Sequence, residues 1–240
     1  MKIIDIYNYL DKISPFELQE KWDNSGLLLG DLNEEVDKVY LSIDVDENLL
    51  EEMDENSLLI THHPIIFGGL KQLQFNQYPA HLIRKMVKKN ISNIAMHTNF
   101  DQTHLNEYVA TKVLGLKIVK KDGFVAYMEV DEKFDDFAHK IASAFELPHV
   151  KCVKVHDRIK TVALTTGSGA SLMRSIEADC FLTGDIKYHD AMEAKTINLS
   201  MIDIGHYESE QFFGTILETY LENLGLAVII SQSKNPFTYI

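Results

Sequence analysis

Short runs of β-branched and apolar residues alternate with amphipathic stretches along nearly all of this 240-residue chain, and that alternation limits its fold more than any other feature. VYLSIDV at 39–45, LLIT at 58–61 and ISNIAMH at 91–97 read as strands. A short acidic helix over 47–55, a helix on HLIRKMVKK from 81 and a further one from His104 to Leu114 come between and after them. Ahead of these, Ile3, Ile6, Leu10 and Ile13 mark an N-terminal helix. Ser14-Pro15-Phe16-Glu17 has the form of a capping box that restarts a helix towards Trp22. A second round opens near Gly123, with FVAYMEV as a strand, a helix over 134–146, VKCVKV and TVALTTG as strands, and a helix from Ala170 to Ala178. DCFLTG at 179–184, LSMIDIG at 199–205 and AVIISQ at 227–232 complete the strands. The expectation is α/β: two similar units with mixed sheets flanked by helices. The first spans 1–120, joined by the last strand within 226–240, and the second spans 121–225.

Composition narrows the function. At 45% hydrophobic and 25% charged the chain can bury a core, and 23 Lys+Arg against 36 Asp+Glu leave a net charge of −13. Such a charge argues against binding duplex nucleic acid or an anionic membrane. No stretch approaches the roughly 18 uninterrupted apolar residues of a membrane span, and Asp5 breaks the apolar run at the start. Two cysteines, Cys152 and Cys180, call for no oxidising compartment and read as core thiols. A cytoplasmic protein is expected.

In open α/β sheets ligands collect beyond the carboxyl ends of strands. Three polar clusters meet that rule: THHP after the 58–61 strand, HTNFD ending the 91–97 strand, and GHYESE after the 199–205 strand. His62 and His63 stand where Pro64 turns the chain, so their imidazoles can diverge towards different ions. His206 and Glu210, at i and i+4, share one helix face at ligand spacing. Asp101 adds a hard oxygen. Three histidines with an Asp and a Glu suit zinc, manganese, iron or cobalt better than calcium or magnesium. Each cluster alone has a plainer structural explanation, but their coincidence at strand ends points to metal.

The chain resembles the NIF-three-like family, the GTP cyclohydrolase I type 2 homologues, through an ordered set of segments: WDNSGLLLG at 22–30, THHPIIF at 61–67, HTNFD at 97–101, TGSGAS at 166–171, TGDIKYHDA at 183–191 and GHYESE at 205–210. Ser25 departs from the family's pattern, which has a hydrophobic or small residue there. The resemblance implies a two-unit α/β fold with a dinuclear metal site in the cleft between the units, in a homohexameric ring. Carried over by position, its metal ligands fall on His62, His63, Asp101, His206 and Glu210. This chain has the minimal form, without the inserted middle domain of longer members.

Two divalent ions sharing a water would suit hydrolysis of a nucleotide-like or phosphorylated small molecule, with Glu210 bridging, His62 and His63 divided between the ions, and His206 and Asp101 completing the shells. His97 is then a candidate acid–base group or a hydrogen-bonding partner of a ligand. The cyclohydrolase reaction would open the imidazole ring of GTP and release formate. TTGSGAS offers backbone amides near Arg174 for a phosphate, although a tight strand-to-helix turn explains its glycines better. Lys187 and His189 read as a solvated first helical turn. A phosphoesterase acting on nucleotides or single-stranded nucleic acid, and a non-catalytic metal-binding scaffold, are the alternatives. Phe67, Tyr127, Met128, Phe212 and Phe213 are expected in the core or at subunit contacts.

Overall fold

In the computed structural model, which describes residues 1–231 and 233–238, the strands sort into two mixed sheets. Their sequences explain why. LLIT, SNIA, CFLT and SMID are buried along their whole length, as strands covered on both faces must be.

The first unit consists of Met1–Phe100 and the described residues from Phe213 onward. Its sheet holds β1 (Gly26–Leu29), β2 (Lys38–Ser42), β3 (Leu58–Thr61), β4 (Ser92–Ala95) and, from the end of the chain, β11 (Ala227–Ile230), in the order β1-β4-β3-β2-β11. β11, β2, β3 and β4 run parallel, and β1 closes the far edge antiparallel to β4. Helices Ile3–Ile13, Glu47–Glu52, Ala80–Lys88 and Phe213–Leu221 belong to this unit. The first buries Ile3, Ile6 and Leu10, one stripe at helical spacing. The helix expected towards Trp22 is a single 3₁₀ turn, Phe16–Leu18, with Pro15 at its N-cap position and the Phe16 amide donating to Asp11. Gln232, which ends the expected last strand, lies outside the described residues.

The second unit, Asp101–Phe212, carries a six-stranded sheet. β5 (Ile118–Asp122), β6 (Val125–Lys133), β7 (Lys151–Val153), β8 (Arg158–Leu164), β9 (Cys180–Thr183) and β10 (Ser200–Asp203) are ordered β5-β6-β8-β9-β10-β7. β8, β9 and β10 run parallel, while β5, β6 and β7 are antiparallel to their neighbours. Residues 101–120 and 213–225 thus fall in the other unit from the one the sequence reading gives them. The helix expected from Ala170 to Ala178 is a shorter 3₁₀ turn, Ala170–Ser175. Cys180 is buried, but Cys152, on edge strand β7, is exposed and is not a core thiol. Among the described residues no helix is long and apolar enough to cross a membrane.

Candidate metal centre

In the first unit, three histidines meet at the ends of two neighbouring parallel strands. β3 ends at Thr61, and the amides of His62 and His63 continue its pairing by donating to the carbonyls of Ser42 and Ile43. β4 ends at Ala95, two residues before His97. The rings of His62, His63 and His97 lie 5.0, 5.2 and 5.4 Å apart, centroid to centroid, and each offers a nitrogen within 4.8 Å of the other two. Adjacent His62 and His63 therefore converge with His97 rather than only diverging.

What fixes these rings is the accounting at Nδ1. His62 Nδ1 lies 2.9 Å from the Met96 carbonyl, His63 Nδ1 2.8 Å from Asp44 Oδ1, and His97 Nδ1 2.7 Å from Asp23 Oδ1. A carbonyl or carboxylate oxygen accepts only, so each Nδ1 donates and a neutral ring keeps its lone pair on Nε2. This is how metal-ligating imidazoles are held. His62 and the Asp23 side chain are fully buried. Burial pushes the Asp23 carboxyl up, but the hydrogen bond from His97 and the charge that ring carries when protonated, with the Thr98 hydroxyl and the Asn24 amide, outweigh it and hold Asp23 well below the usual carboxylate range. Ser25 joins this cluster, its hydroxyl accepting from the His97 amide and donating to Asp23.

In the second unit, Gly205 holds a φ of +76° between β10 and the helix His206–Glu210. That helix sets His206 Nε2 3.2 Å from Glu210 Oε2. Asp185 Oδ2 takes the other ring nitrogen, Nδ1, at 2.7 Å. Glu210 is 2% exposed and Asp101 9%, levels at which a carboxylate needs a proton, a cation or a metal. Asp101 opens a π turn, Asp101–Leu105, and accepts from the Thr166 hydroxyl. The TTGSGAS segment is a tight turn: Gly167 has a φ of +61° and its carbonyl accepts from the Gly184 amide. A Cβ on Gly167 would lie 2.1 Å from Glu210 Oε1, so this glycine makes the space that the carboxylate occupies. Arg174 is ion-paired with Glu193, while Lys187 and His189 are exposed around the start of the helix Tyr188–Thr196.

The donor chemistry in each unit fits a transition metal: imidazoles with Nδ1 engaged, beside buried carboxylates. Sequence reasoning missed Asp23, Asp44, Asp185 and the role of Gly167. WDNSG and TGD carried Asp23 and Asp185 without any local sign of their partners. Of the apolar residues expected in the core or at subunit contacts, Phe67 lies outside the core of its unit. It is 51% exposed, stacked on Trp22 with centroids 5.6 Å apart, whereas Tyr127, Met128 and Phe213 are buried.

Comparison with known proteins agrees with the fold. The family model Duf34/NIF3 (NGG1p interacting factor 3) matches residues 1–236. A Campylobacter jejuni protein named GTP cyclohydrolase 1 type 2 homolog is 50% identical over all of both chains. A Helicobacter pylori protein named GTP cyclohydrolase 1 type 2 is 40% identical over 98% of each. A crystal structure of Staphylococcus aureus protein SA1388 superposes with a TM-score of 0.87 at 30% identity, covering 100% of this chain and 99% of that one.

Proposed function

This chain belongs to the Duf34/NIF3 family, and from that premise we propose that it is a metal-dependent hydrolase of a nucleotide-like or phosphorylated small molecule. In this reading His62, His63, Asp101, His206 and Glu210 hold two divalent ions, zinc, manganese, iron or cobalt, and His97 stands beside them. A bound pair of such ions supplies an acidified water and a Lewis acid for the group under attack. The chain's own residues do the rest. Asp44 and Asp185 hold the Nδ1 protons of His63 and His206, and the Met96 carbonyl holds that of His62, so the lone pairs stand on Nε2. Asp23 does the same for His97, whose Nε2 is then able to accept or return a proton in the reaction. Gly167 keeps room for the Glu210 carboxylate.

The observation that carries this reading is that the His62, His63 and His97 nitrogens converge within 4.8 Å while each Nδ1, like that of His206, is held by an oxygen acceptor. His81 and His139 also donate Nδ1 to a carbonyl oxygen, but among the described residues they belong to no such cluster, whereas His62, His63 and His97 bring nitrogens close to one another, as ligands of an ion must. The names of the Campylobacter and Helicobacter relatives make GTP the first substrate to try. A homohexameric ring belongs to the same proposal.

Elemental analysis of protein purified without chelator or affinity-tag histidines tests it, beside His206→Ala and Glu210→Ala. About two ions per chain, falling in both variants, with GTP consumed and formate released by the wild type alone, is the expected result. No metal after reconstitution with zinc, manganese or iron overturns the ligand assignment. Full metal without turnover of GTP or of phosphate esters overturns the hydrolase.

A further inference from the structure

Beside His63, within the first unit, lies a cavity of about 340 Å³ whose walls include Asp44, His63, Ile65, Phe67, Leu70 and Tyr78. That volume is at the small end of small-molecule sites, which run to roughly 300–1,000 Å³, so it suits a ring-sized fragment rather than a whole nucleotide. Its chemistry is one-sided. Among the described residues no lysine or arginine lines it, and the one carboxylate in its wall, Asp44, would repel a phosphate. Phe67, Leu70 and Tyr78 are 51%, 44% and 72% exposed, a concentration of large apolar side chains that a free surface does not favour. Asp44 gives Oδ1 to His63, while its Oδ2 has no hydrogen-bond partner among the described residues.

We infer that this cavity takes a planar heteroaromatic ring bearing N–H donors, the chemistry of a nucleobase, stacked on Phe67 and donating to Asp44 Oδ2. The inference rests on the proposed function and deepens it. Of the two halves of a nucleotide, this pocket recognises the base, and the phosphate stays outside it. Aromatic faces hold bases by stacking whatever their sequence of donors, and the free carboxylate oxygen then favours a ring with an N–H donor.

Trp22 is the only tryptophan, and it stacks on Phe67, so its emission reports on the cavity without a label. The experiment titrates EDTA-treated full-length protein with guanosine, and separately with ribose 5-phosphate, following Trp22 emission with calorimetry in parallel. The comparison variants are Phe67→Ala, which removes an exposed ring, and Gly68→Leu. Gly68 is part of the cavity wall and a Cβ there meets nothing within 4 Å, so a leucine adds bulk at the wall without straining the fold. Expected are saturable guanosine binding, no saturable ribose 5-phosphate binding, a loss of about tenfold in guanosine affinity in Phe67→Ala, the size of one lost base–aromatic stack, and weakened guanosine binding in Gly68→Leu. Absence of guanosine binding, unchanged affinity in Phe67→Ala, or binding of ribose 5-phosphate alone overturns the inference. Metal content of the same preparations before chelation keeps the two readings apart. Metal without guanosine binding overturns this inference alone; guanosine binding by a chain that takes up no metal supports it and overturns the hydrolase.

Discussion

Gly167 combines two demands that no other residue satisfies: a φ of +61° and a place where a Cβ would fall 2.1 Å from Glu210 Oε1. Gly167→Ala is expected to lower stability by roughly 1–3 kcal/mol, from backbone strain and the displaced carboxylate, and to reduce metal content. Thermal melting and elemental analysis check it, and a variant with wild-type melting and metal would refute the role. Asp185→Asn acts differently, because it keeps the size of the side chain but removes the charge that holds His206 Nδ1. Metal affinity should fall about 10–100-fold with little change in melting. An equal affinity by competition with a chelating dye would remove Asp185 from the machinery. At this scale the sequence made the ligand-type residues legible but not what orients them. Asp23, Asp44 and Asp185 stand 74, 19 and 21 residues from their histidines, separations that only the fold closes.

The strands were legible because burial on both faces leaves continuous apolar runs, and the polar clusters expected at their carboxyl ends do stand there. Turns were harder: β1 hides in WDNSGLLLG, and Ala170–Ser175 is a short 3₁₀ turn that follows Gly167, whose φ of +61° no side-chain periodicity announces. One such junction has a measurable pH dependence. The Asp179 carboxylate, just before β9, accepts from the amides of Lys160 and Thr161 on β8, at 2.7 and 3.0 Å. Partial burial raises its pKa, but these amides and the Thr161 hydroxyl outweigh that and hold it below the ordinary carboxylate value. A depressed folded-state pKa stabilises the fold above the unfolded value of 3.8, and that contribution disappears as pH falls through the folded value. Asp179→Ala should therefore cost about 1 kcal/mol at neutral pH and less as the solution is acidified below about pH 4. Urea unfolding of both proteins from pH 7 to pH 3 reads the difference, and a gap that widens on acidification would contradict the assignment.

Across the molecule, hydrophobic periodicity marks elements but does not say which core each one joins. The residues 213–225 follow β10 without a break in pattern, yet Phe213, Ile216, Leu217 and Leu221 are buried in the first unit, and a Cβ at Gly214 would meet Ile230 of β11 at 3.1 Å. The first unit is therefore discontinuous in sequence, and the second, Asp101–Phe212, is one uninterrupted segment with its own sheet and a core that includes Val125, Tyr127, Phe181 and Met201. A fragment of residues 101–212 should fold alone, because every strand of its sheet is present. A fragment of residues 1–100 should not, since β2 loses its β11 neighbour and the sheet loses the helix Phe213–Leu221. Joining residues 1–100 to 213–240 through a short Gly/Ser linker should restore it, because the rings of Phe100 and Phe213 already lie 5.1 Å apart, edge to face. Circular dichroism melting of the three fragments decides: cooperative transitions are expected from 101–212 and from the joined chain and none from 1–100, whereas a cooperative 1–100 would mean that the returning segment is dispensable to the core it enters.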